Sequence, residues 1–412
     1  MVFRTPSLLV LAAALAAGTV HAVPMRPVAD GVRAPQASQA AVMAPYFEVD
    51  SLWPRPLPNH WVLGSVVGVA VDNREHVWII HRASTLADRE RSAELAPATG
   101  ECCVTAPPVL EFAADGTLGA RWGGPGSGYE WPQSNHGIAI DPQGNVWIGG
   151  NGNADSQLLK FTAAGKFVMQ YGRSGARRGA SNSRGEPTWV GNSHDPESFG
   201  RPAKIAFDAA TNEGYVADGY LNRRVAVIDA ASGKVKRYWG AYGARPDDAE
   251  TPAYRPEAAP LRQFRNPVHC AVLSNDGFVY VCDRTNDRIQ VFRKDGTFVR
   301  EAAIAPKTLD GGSASDIAFS RDERQTYLYV ADLQNAKVRI LRRDTLEELT
   351  TFGDGGRQPG QFYGVHSIAT DGAGNIYTTE TFEGKRVQKF VYRGLRPVTQ
   401  RNQGAPWPAG RR

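Results

Sequence analysis

Apolar and polar positions alternate with period two along most of this chain, in short runs that recur as one repeated unit. Each unit holds two alternating strands around a turn, a polar gap, and two more strands that close on an aromatic residue and a glycine. The first pairs read VVGVAVDNREHVWIIHR (66–82), HGIAIDPQGNVWIGGN (136–151) and PAKIAFDAATNEGYVADGY (202–220). They continue as VHCAVLSNDGFVYVCDR (268–284), ASDIAFSRDERQTYLYVADL (314–333) and VHSIATDGAGNIYTTET (365–381). Asp, Asn, Pro and Gly stand where each strand must reverse. The second pairs are equally regular, from VLEFAADGTLGARWG (109–123) to VRILRRDTLEELTTFG (338–353). The sixth, RVQKFVYRG (386–394), stops after one strand. Six such units predict an all-β, six-bladed β-propeller. Tyr46-Phe47-Glu48-Val49 has the alternation to supply the missing outer strand, so that an N-terminal strand closes the ring and removes open edges.

The ends of the chain break this pattern. Arg4, the apolar stretch from Leu8 to Ala17 and Val20-His21-Ala22 read as an export signal over 1–22, cleaved after Ala22. The apolar run is too short to span a membrane, and no second run of spanning length follows. Residues 23–44 and 395–412, rich in Pro, Ala and Arg, read as a flexible linker and a flexible tail around a propeller at 45–394. The export signal places the protein in the periplasm or outside the cell. The formal charge of +5 is spread over the chain without a basic stripe, which excludes a nucleic-acid role. A soluble monomer is expected.

Four cysteines in an exported chain invite pairing. Counting outwards from the turn at Asp276 sets Cys270 and Cys282 opposite each other, compatible with a cross-strand bridge or with two core thiols. The neighbours Cys102 and Cys103 admit a vicinal disulfide, two free thiols or a metal role. A surface loop stapled by a disulfide is the favoured reading.

Repeat alignment also maps candidate chemistry. The starts of the first strands should ring one mouth of the central channel, in the order Val67, His136, Ala203, His269, Ser315 and His366. Histidine occupies alternate blades, and three neutral imidazoles with an open position are a catalytic zinc pattern. A lone channel histidine would more simply hydrogen-bond water; three at one repeat position point to a metal. The ends of the second strands bring Arg82, Tyr220 and Arg284 to the same mouth. Two guanidiniums suit a planar carboxylate, and a phenol beside a metal and an arginine suits a general base. Singly, each would read as a surface arginine or a packed tyrosine. Long gaps at 83–108, 174–198 and 244–263 open onto this face and are expected to form a lid.

At these residues the sequence resembles the peptidyl-α-hydroxyglycine α-amidating lyase family, on a framework similar to NHL repeats. The match is strongest over NPVHCAVLSNDGFVYVCDRTNDRIQVFRKDGTFVRE (266–301), and extends to VADGYLNRRV (216–225), IIHR (79–82) and YGVHS (363–367). The resemblance implies zinc on His136, His269 and His366, Tyr220 as the catalytic tyrosine, and Arg82 and Arg284 as active-site arginines. It also implies a structural calcium on an acidic residue after the third histidine. Ser367 stands there, so calcium is not expected. Leu221 replaces a family cysteine, and the Cys102–Cys103 loop has no counterpart.

The reaction implied is cleavage of a carbinolamide to an amide and glyoxylate, on a small-molecule or peptide carboxylate. Two rival readings remain: a metal-dependent propeller hydrolase of the lactonase type, and a non-enzymatic propeller binding a protein or cell-wall ligand.

Overall fold

The computed structural model describes residues 41–408. The expected signal, and the linker up to residue 40, lie outside the described residues. Six four-stranded antiparallel sheets form the blades of a propeller. Blade 1 comprises Ser65–Val71, Val77–Arg82, Val109–Phe112 and Leu118–Trp122. Blades 2 to 5 begin at Asn135–Ile140, Pro202–Asp208, Val268–Leu273 and Asp316–Phe319. Blade 6 runs Val365–Thr370, Ile376–Glu380 and Arg386–Pro397, and its fourth strand is Met43–Asp50. The described residues contain no α-helix. None of their helices is long and apolar enough to cross a membrane.

Two polar devices recur among the blades. At the first hairpin, an aspartate accepts turn N–H groups and anchors an aromatic on the second strand. Asp141 takes the N–H of Gln143 and Asn145 and the indole of Trp147; Asp72 with Trp78 and Asp371 with Tyr377 repeat the arrangement. At the opposite face, a carboxylate ending the second strand pairs with an arginine beginning the third. Asp218 meets Arg224 at 2.8 Å, Asp283 meets Arg288 at 2.8 Å and Glu380 meets Arg386 at 2.6 Å. The three carboxylates are fully buried, so losing the arginine strands a buried charge. These pairs lock the connections that carry Tyr220 and Arg284.

Apolar residues fill the space between blades, as with Phe47, Tyr329, Phe352 and Phe390 between blades 5 and 6. The segment expected as a flexible tail behaves differently. Its backbone bonds to blade 5 and to the closing strand, through Arg401 O to Thr351 N at 2.9 Å and Pro406 O to Val49 N at 2.7 Å. Composition misled because these backbone bonds, together with Val398 packed against the core between blades 5 and 6, hold it.

Both cysteine pairs are bonded. Cys270 and Cys282 bridge adjacent strands of blade 4 with S–S 2.03 Å. Cys102 and Cys103 are joined to each other in a partly exposed loop, which leaves neither thiolate to ligate a metal. Disulfides fit an oxidising compartment.

Candidate metal centre

Each histidine of the ring sits at a break in strand register. The pairing of the first two strands shifts between Asn135 and Ile138, between Val268 and Cys270, and between Val365 and Ser367. Blades 1 and 3 shift at the same place, around Val67 and Ala203. A bulge re-aims a side chain and frees backbone groups from the ladder. Here it turns the imidazoles into the channel and leaves the neighbouring carbonyls without strand partners.

Those carbonyls are used. His136 Nδ1 bonds Ala203 O at 2.7 Å, His269 Nδ1 bonds Ser315 O at 2.5 Å and His366 Nδ1 bonds Val67 O at 2.8 Å. Every even blade therefore donates to the ring residue of the next odd blade. A carbonyl can only accept, so each Nδ1 carries the proton and each Nε2 presents a lone pair. The ring centroids stand 4.8–5.0 Å apart, and one nitrogen from each histidine lies within 4.8 Å of the others. All three side chains are buried.

Burial holds these imidazoles well below their ordinary pKa. Neighbouring charge adds to it: His366 and Arg82 on His136, Arg284 and His366 on His269, Arg82 and Arg284 on His366. They are neutral at neutral pH, the form that binds metal.

Tyr220 reaches the same point. Its hydroxyl lies 2.9 Å from His136 Nε2 and 3.0 Å from His269 Nε2, and Arg284 Nη1 donates to it at 3.2 Å. One phenol proton can serve only one of two lone pairs. The other contact sets lone pair against lone pair, a conflict that a cation among these atoms would relieve. The residues present thus fit a divalent metal held by nitrogen.

Arg82 is oriented from blade 2, donating Nε to Asn135 O at 2.7 Å and Nη2 to Asn151 Oδ1 at 2.8 Å. Burial lowers its pKa, offset in part by Tyr220 and Asp155. Arg284 keeps a buried Nε without a partner. All six sequence-derived positions are thereby brought to one mouth.

Sequence reasoning missed several supporting groups. Asn135 and Asn151 place Arg82. The insertion at 174–198, which holds a hairpin of Arg178–Ser181 and Pro187–Trp189, braces the Tyr220 connection through Ser193 Oγ to Arg223 N at 2.8 Å and Asn222 Oδ1 to Asn192 N at 2.8 Å. Below the histidines, Lys204 bonds both oxygens of Asp316 at 2.6 and 2.7 Å, and Ser367 Oγ donates to Asp316 at 2.6 Å. Backbone N–H groups of Ile317 and Ile368 complete the carboxylate's partners. A serine acting as donor, beside a carboxylate already saturated by an ammonium, does not fit a calcium ion.

The fold and site define a propeller with a tris-histidine centre. No protein-family model matches the chain. It is similar to peptidyl-glycine alpha-amidating monooxygenase B of Xenopus laevis, 25% identical over 265 residues that cover 62% of this chain and 26% of that protein. Peptidylglycine alpha-amidating monooxygenase of Rattus norvegicus is 26% identical over 253 residues, covering 58% and 22%. NHL repeat-containing protein 3 of Mus musculus is 26% identical over 305 residues, covering 72% and 70%. The chain thus spans about a quarter of the amidating relatives' length. A streptogramin B lyase structure aligns with TM-score 0.50 and 12% identity, covering 85% of this chain and 98% of that one, a likeness of fold alone.

Proposed function

We propose that this protein is an exported zinc-dependent lyase that cleaves a carbinolamide, R–CO–NH–CH(OH)–COO⁻, to an amide and glyoxylate. The observation that carries the reading is the meeting of Tyr220 Oη with two proton-free imidazole nitrogens and Arg284. His136, His269 and His366 would hold the metal. When bound, a divalent ion supplies Lewis acidity that eases loss of the substrate hydroxyl's proton. Tyr220 Oη, acting in its phenolate form, takes that proton. The C–O bond becomes a carbonyl as the C–N bond breaks, the electron pair leaves on the amide nitrogen, and the proton held by Tyr220 passes to that nitrogen. Arg284 steadies negative charge on the phenol oxygen, and Arg82 with Arg284 receives the carboxylate.

Charge supports an anionic substrate. Two guanidiniums face the centre, while the acidic group beneath it, Asp316, is already spent on Lys204. The same balance counts against a hydrolase of the lactonase type, which favours a carboxylate-rich site. Similarity to proteins named for peptide amidation favours this reaction class. A ligand-binding scaffold would need neither the metal nor an ionisable phenol.

The test is elemental analysis of the purified protein, with release of glyoxylate from α-hydroxyhippurate on the same sample. One zinc per chain and zinc-dependent glyoxylate release are expected. A metal-free protein indifferent to added zinc would overturn the proposal.

A further inference from the structure

The innermost strands of blades 3, 5 and 6 each place a polar side chain one residue beyond the ring position: Lys204 after Ala203, Asp316 after Ser315 and Ser367 after His366. These three meet across the channel although they are far apart in sequence. Lys204 and Asp316 are 112 residues apart, and Asp316 and Ser367 are 51 apart. Asp316 has a side chain only 2% exposed, and its two oxygens take two contacts from the ammonium, one from Ser367 and two from backbone N–H groups. A carboxylate so buried is stable only with its charge matched.

Lys204 also marks a boundary. On one side it borders the narrow space under the histidines. On the other it ends a vestibule of about 330 Å³ that opens to the opposite face, with walls including Val71, Ile140, Phe207, Val272, Phe319 and Thr370. The two spaces differ in lining: the three histidines border the first, whereas Arg321 and Gln325 join the apolar walls of the second.

We infer that Lys204, Asp316 and Ser367 form a cation site filled by the chain's own ammonium, which ties three blades together and divides the channel into two chambers. An inorganic cation is replaced here by a covalently attached one. Three consequences follow from this geometry. The layer needs no free calcium, it cannot be emptied by a chelator, and reactants reach the histidines from one mouth only. The inference does not depend on the reaction proposed above.

The test compares cation dependence in zinc-loaded proteins. Wild type is expected to bind no calcium and to show no shift in Tm at about 10 mM calcium, a concentration that fills weak extracellular-type sites. Lys204→Met removes the ammonium and leaves Asp316 exposed to added cations. That variant is expected to bind one calcium per chain, with Tm rising by roughly 2–4 °C. Adding Asp316→Asn to it should abolish the response. Calcium binding by wild type with a rise in Tm would overturn the inference, as would a folded Lys204→Met that ignores calcium. Should Lys204→Met accumulate only when calcium is supplied during expression, that too supports it. If the variant never accumulates, the wild-type titration decides. Zinc content, measured on the same samples, reports separately on the metal-centre proposal.

Discussion

Four histidines of the propeller are buried: His81, His136, His269 and His366. His81 spends both ring nitrogens on the protein. Its Nδ1 accepts from Gly64 N at 3.2 Å, and its Nε2 bonds Pro107 O at 3.0 Å and lies 3.2 Å from Ala106 O. The channel histidines spend only Nδ1 on backbone and turn Nε2 toward one another. Burial is common to both groups and lowers the pKa in both. What separates a packed histidine from a candidate ligand is the nitrogen left over.

That contrast can be broken in graded steps. The largest effect is expected from His269→Ala, which removes one of the convergent nitrogens. Metal affinity should fall by more than the 10–100-fold typical of losing an outer partner, and glyoxylate release should vanish with it. Equilibrium dialysis against zinc measures the first. Tyr220→Phe keeps the nitrogens and removes the proton acceptor. Turnover should fall about 10²–10⁴-fold while zinc content stays at the wild-type level; undiminished turnover would remove the phenol from the mechanism.

A smaller effect separates the imidazole from its support. A Cβ on residue 137 would lie 2.4 Å from Ala203 O, the carbonyl that orients His136. Gly137→Ala should therefore weaken zinc binding about 10–100-fold without touching a ligand. Unchanged affinity would show that the carbonyl is dispensable.

His81 gives the smallest effect and the opposite kind. Burial pushes its pKa down from 6.5 to about 4. Between these values the unfolded chain takes the proton first, so stability is full above pH 6.5 and is lost as pH falls toward 4. The loss amounts to about 3 kcal/mol when complete. His81→Gln cannot titrate and should flatten the decline in Tm across that window, with zinc content unchanged. A variant that lost zinc would place His81 with the channel group after all.

The blades were legible because every one repeats the same alternation around a polar turn, and the ring of histidines followed from aligning those repeats. Arg82, Tyr220 and Arg284 were legible through resemblance and through their place at second-strand ends. The supports were not. Val67, Ala203 and Ser315 contribute a backbone oxygen, and no side chain announces which carbonyl will meet an imidazole. Lys204 and Asp316 are single charged residues on strands two blades apart, joined only once the ring closes. The tail at 398–407 is held by main-chain bonds, to which composition is blind.

Because the orienting groups in the odd blades are peptide oxygens, the identities of residues 67, 203 and 315 are decoupled from coordination. Mutational drift at these three places changes what surrounds the centre while the scaffold beneath keeps its grip. All three are fully buried, so an engineer who wishes to retune selectivity on an intact chassis must keep to replacements of similar volume there.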